Sequence, residues 1–113
     1  ENITKGLERL VTKALRTAEA WRSQPNILII APPPIEEGYY ETEIGPEMGR
    51  GCMEKSRALA PLYQAAAQRL NCHFLDAASI PGVGMYPYDH MHLSLEAHRH
   101  LAEALAGLIP QIC

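Results

Sequence analysis

Apolar residues at spacings of three and four open the chain. Ile3, Leu7, Leu10, Val11, Ala14, Leu15 and Ala18 fall on one stripe of an amphipathic helix. Asn2 or Thr4 stands where a cap belongs, and Trp21 with the Ser23-Gln24-Pro25-Asn26 cluster ends the pattern. The period then changes. Asn26 to Ala31 is a continuous run without alternation, which is how a strand covered on both faces reads. Pro32, Pro33 and Pro34 stop it, because proline cannot donate to a ladder, and the chain leaves in a stiff extended segment.

Residues 35–51 hold Gly38, Gly45, Pro46, Gly49 and Gly51 among five glutamates, and they read as a long loop. Loops of that length serve as lids or binding loops, or else as solvated excursions. Helical spacing returns over residues 50–70 through Met53, Ser56, Ala60, Tyr63, Ala67 and Leu70. Pro61 predicts a kink near Arg57 or a break into two helices. Asn71 terminates this segment, and residues 72–78 read as a second short buried strand running into a loop. Pro81, Gly82, Gly84 and Pro87 make residues 79–92 a loop. The last helix starts at an N-cap, Ser94, carries Glu96 in its first turn, and buries Ala97, Leu101, Ala104, Leu105, Leu108 and Ile109, with Pro110 as its end.

The expected order is helix, strand, helix, strand, helix, with connections long enough to make the strands parallel. Two apolar strands need neighbours. Either the sheet is completed by another copy, as a homo-oligomer, or residues 1–113 are the C-terminal portion of a larger α/β domain. The chain opens at Glu1 rather than Met, which fits the second expectation.

Composition narrows the function classes. With 113 residues, at most one core is expected, and 47% hydrophobic against 20% charged residues excludes a disordered chain. A net charge of -3 argues against nucleic acid and anionic membrane surfaces as partners. No apolar run approaches a membrane span, and charges spread over residues 1–20 leave no signal-peptide core. Cys52, Cys72 and Cys113 are unpaired by spacing, so a reducing, cytoplasmic setting is the simpler expectation.

The densest polar stretch runs from Tyr88 to His100. The only two aspartates are Asp76 and Asp89, so an Asp three residues before His92 is not a by-product of acidic composition. On a turn leading into a helix, residues three apart can face each other. A carboxylate then holds one imidazole nitrogen while the other points into a cleft, which is the base-and-orienter half of a hydrolytic triad.

Asp89-x-x-His92-Leu93-Ser94, followed by Glu96-Ala97-His98 and an apolar helix, resembles the last conserved block of the SGNH (GDSL-type) esterases and lipases. The strand Ile27 to Ala31 with its triproline, the helix holding Leu59-Ala60-Pro61-Leu62-Tyr63, and Phe74-Leu75-Asp76-Ala77 match the second half of that family in the same order. The triproline and the loop after it look most like the arylesterase and acyltransferase-like branch. The resemblance implies the C-terminal part of a flavodoxin-like three-layer fold acting on a small-molecule ester without a cofactor. It carries over Asp89 as orienter and His92 as general base. The family's Gly-Asp-Ser nucleophile turn and Gly-x-Asn-Asp turn have no counterpart here. Ser23, Ser56, Ser79 and Ser94 all lack that context, so the missing N-terminal half is an implied partner and the chain alone is expected to be inactive.

Three rival readings remain. Asp89, His90, His92, His98 and His100 are metal-ligand types within one short stretch. Cys52 near a helix start is a second nucleophile type. A non-catalytic fragment would bind a partner through its open sheet edge. Asp76, at a strand end, reads as a turn-fixing residue or a functional one. Tyr39, Tyr40, Tyr86 and Tyr88 either line a pocket or cover the core.

Overall fold

The computed structural model describes residues 1–113. Its elements are α1 (Asn2–Arg16), β1 (Leu28–Ala31), α2 (Cys52–Arg57), α3 (Leu59–Arg69), β2 (His73–Asp76) and α4 (Leu95–Ile112), with short 3-10 turns at Ala18–Ala20, Glu37–Glu41 and Ala77–Ser79. The class is α/β. β1 and β2 pair in parallel as a two-stranded sheet, with Leu28 opposite His73 and Ala31 opposite Asp76. No helix is long and apolar enough to cross a membrane.

The core lies where α1 and α3 cover one face of the sheet. Val11, Ile29 and Ala67 are buried together, with Leu7, Leu15, Tyr63 and Phe74 packed around them. Ala66 and Ala67 are almost fully buried, and their small side chains let α3 lie close to the strands. α1 is narrower in its burial than its stripe predicts. Ile3 and Leu10 stay exposed, and Ala18 falls in the 3-10 turn beyond the helix. The expected cap is also absent: Glu1 precedes the helix without a side-chain cap, and Thr4 lies within the helix, buried, with Oγ1 unpartnered. The end of α1 is fixed instead by Thr17 Oγ1 donating to Lys13 O and Trp21 Nε1 donating to Ala14 O.

Pro61 divides the 50–70 segment as expected. The break falls at Ala58, which places Pro61 third in α3, in the first turn, where a missing N–H loses no intrahelical bond. At the other end of α3, Asn71 takes φ 53°. The Cys72 N–H bonds Ala67 O at 2.8 Å and the Asn71 N–H bonds Gln68 O at 3.3 Å, a Schellman turn with asparagine in the left-handed position.

Both strands and the last helix differ in extent from the sequence pattern. Both strands are four residues long, shorter than their apolar runs. α4 continues through Pro110 to Ile112. Proline's fixed φ is helical, and its cost is one donor to the carbonyl of Ala106; both residues are exposed, so water reaches that carbonyl. The end of α4 is held by Asn26 Nδ2 donating to Ile112 O at 2.6 Å.

Candidate functional site

Parallel pairing brings the carboxyl ends of β1 and β2, at Ala31 and Asp76, to the same side. The loops 32–51 and 77–94 therefore leave from one edge, where α/β sheets place their sites. Asp76 is used in the turn itself: Oδ1 accepts from the Ala78 N–H at 3.0 Å. That is the turn-fixing role.

The second loop carries the Asp-His pair and is pinned at its neck. Met85 and Leu93 form an antiparallel bridge, the Tyr86 N–H donates to His92 O at 2.6 Å, and the Ser94 N–H donates to Gly84 O at 3.1 Å. Met85, Met91 and Leu93 of this loop line an apolar hollow of about 200 Å³ together with Ile30, Pro33 and Leu101, at the end of β1. Just beyond the neck, Ser94 caps α4, its Oγ accepting from the Ala97 N–H at 3.0 Å. The helix start thus sets the position of the loop's last residues.

Within the loop, Asp89 and His92 come together. Asp89 Oδ1 accepts from the N–H groups of Met91 and His92 at 2.9 and 3.0 Å, and Oδ2 lies 2.8 Å from His92 Nδ1. A carboxylate only accepts, so Nδ1 donates, and in the neutral ring Nε2 keeps its lone pair. Nε2 has no hydrogen-bond partner in the chain, and the His92 side chain is 73% exposed against 25% for Asp89. The His92 amide, then the Met91 amide, then the imidazole hold the Asp89 carboxyl at about 2, below its ordinary 3.8. Asp89 therefore stays ionised wherever imidazole chemistry operates. The arrangement leaves an oriented imidazole whose Nε2 is accessible.

The other histidines go elsewhere. His90 turns its ring to Glu36, with Nδ1 2.9 Å from Oε2. His98 is exposed on α4, and His100 lies 3.8 Å from Glu96 and 3.9 Å from Glu103. No three His, Cys, Asp or Glu side chains gather in a way that could hold a metal ion, so the metal reading has no site in this structure. Cys52 is buried in the first turn of α2 rather than presented as a nucleophile. Burial also raises the Cys72 thiol above its ordinary value.

The first loop is more ordered than a solvated excursion. Tyr39 is almost fully buried and donates to Ile44 O at 2.7 Å, while Tyr40 is exposed and within 3.3 Å of Glu54. Ser56 Oγ accepts from the Ile35 N–H at 2.9 Å and donates to Met53 O, tying the triproline exit to α2. Helical spacing places Ser56 on α2 but does not show its bond to Ile35, and no local pattern marks Glu36, whose partner His90 is distant in sequence. Tyr86 and Tyr88 are both exposed, with ring centroids 5.1 Å apart, beside the Asp-His loop.

No protein-family profile matches the chain, and no curated protein does. Solved structures do. A carbohydrate acetylesterase family member from Sinorhizobium meliloti is 32% identical, with a TM-score of 0.78 over 96% of this chain and 50% of that one. A second carbohydrate acetylesterase from the same organism is 28% identical, with a TM-score of 0.78 over 99% of this chain and 52% of its own. The aryl esterase of M. smegmatis is 26% identical, with a TM-score of 0.80 over 99% of this chain and 52% of its own. The chain spans about half the length of the structures it matches.

Proposed function

We propose that this chain, whose α/β fold is that of the SGNH-type esterases over about half their length, is the C-terminal half of such an enzyme and supplies the Asp-His part of its triad. Asp89 is the orienter and His92 the general base. What supports the reading most is the 2.8 Å contact from Asp89 Oδ2 to His92 Nδ1, with Nε2 left free on an exposed ring.

In the intact enzyme a serine from the other half attacks the ester carbonyl as His92 Nε2 takes its proton. Asp89 keeps Nδ1 protonated before that step and stabilises the imidazolium after it. His92 then protonates the departing alcohol oxygen, and in the second half-reaction takes a proton from the water that hydrolyses the acyl-serine. No step requires a cofactor. Because the solved structures it resembles are named a carbohydrate acetylesterase and an aryl esterase, an acetyl ester of a carbohydrate or an aryl ester is the substrate class proposed for the intact enzyme.

The test is complementation. The chain alone is expected to leave an aryl acetate intact, and addition of the N-terminal half in trans is expected to restore hydrolysis. Turnover by the isolated chain would overturn the division of labour. Failure of rescue by a folded, bound N-terminal half would favour a non-catalytic binding role.

A further inference from the structure

His90 is one of two residues other than glycine at positive φ, at 54°. A histidine there sits in the left-handed region that a glycine occupies without strain. Its backbone and its ring both meet Glu36, which lies 54 positions earlier in the chain. The Glu36 N–H donates to His90 O at 3.0 Å, Glu36 Oε2 accepts from His90 Nδ1 at 2.9 Å, and Oε1 lies 3.4 Å from the Met85 N–H at the neck of the loop. Gly38 completes the contact from below: a Cβ there would stand 2.6 Å from His90 Nε2.

We propose that Glu36 and His90 form a latch between the two loops, and that both are positioning residues that hold Asp89 and His92 in register for proton transfer. The inference rests on the reading of His92 as the base. It goes beyond that reading because Glu36 and His90 bond to each other and to the loop neck and form no side-chain hydrogen bond with Asp89 or His92. Asp89 and Met91 flank His90, so a turn held at His90 fixes the carboxylate on one side and one of its amide donors on the other. The neck pins the ends of the loop, whereas the latch pins its middle. The same latch accounts for a histidine in a backbone conformation that penalises it, since the ring contact offsets the local strain.

Two substitutions separate the latch from simple packing. Glu36→Ala removes the acceptor, and His90→Gly removes the ring while relieving the backbone. Both are expected to fold, which far-UV circular dichroism checks. NMR titration should then show the Asp89 carboxyl climbing from about 2 toward its ordinary 3.8, with loss of exchange protection at the Met91 and His92 amides. In the full-length enzyme kcat should fall about 10- to 100-fold with KM nearly unchanged, and Glu36→Gln, which keeps an acceptor of the same length, should recover most of it. An unchanged Asp89 titration and unchanged amide protection in both variants would overturn the latch. The NMR result stands apart from the functional reading, because normal turnover by His92→Ala would reject His92 as the base without moving the Asp89 titration in the Glu36 and His90 variants.

Discussion

Asp89 grips His92 at two points, Oδ1 on its backbone N–H at 3.0 Å and Oδ2 on its ring at 2.8 Å. The first contact fixes where the residue sits and the second which way its ring faces. His92→Ala in the full-length protein is therefore expected to lower kcat for an aryl acetate by about 10²- to 10⁴-fold, the range general-base contributions span. Asp89→Asn should cost less, because the carboxylate is a quarter exposed and water can take part of its role. Steady-state kinetics on purified variants decides, and near-normal turnover by His92→Ala excludes it as the base.

The depressed Asp89 carboxyl links folding to acidity. Its folded value is about 2 and its ordinary value 3.8, so the unfolded chain binds the proton more readily. The contribution is fully present above about pH 4 and is lost as pH falls through 2. Melting curves from pH 5 to 2 should show a smaller acid loss for Asp89→Asn than for the parent. Parallel curves would remove Asp89 from the acid response.

Ser94→Ala deletes the Oγ acceptor for the Ala97 N–H at the start of α4. The expected loss is about 1 kcal/mol in chemical denaturation. Asp or Asn at the same position should retain stability, since each can accept the same bond. A neutral Ser94→Ala would mean that the neck of the loop, not the cap, holds the helix start.

Ile29 is 4% exposed and meets Val11 and Ala67 at the centre of the core. Ile29→Ala is expected to destabilise by about 2–5 kcal/mol, a large share of the marginal stability typical of folded proteins. Ile29→Val should lose only about 0.5–1.5 kcal/mol. Urea midpoints for the pair give the comparison directly.

The features legible in the sequence are the ones set by neighbours along the chain. Pro61 announced a helix break, Asn71 a stop, Ser94 a start, and the three-residue interval from Asp89 to His92 its own turn. Signals that needed distant partners were silent. Glu36 looked like one more charge on a solvated loop, because nothing local marks a carboxylate whose partner is 54 positions away. Ile3 and Leu10 fit the helical period of α1 yet remain exposed, since periodicity gives a stripe but not the width of the surface that covers it. Pro110 failed as a terminator because its penalty depends on whether the orphaned carbonyl reaches water.

The ladder between β1 and β2 uses one edge of each strand, so the other edge of each carries main-chain donors and acceptors with no rung to join. For such a strand pair, maturation is a race. A parallel strand that reaches the free edge first in the proper register completes a sheet, whereas a like strand from a neighbouring molecule starts a stack. The outcome then depends on concentration and order of encounter as much as on final stability. Dilution should therefore lower the stacked fraction even where the stability of the fold is unchanged.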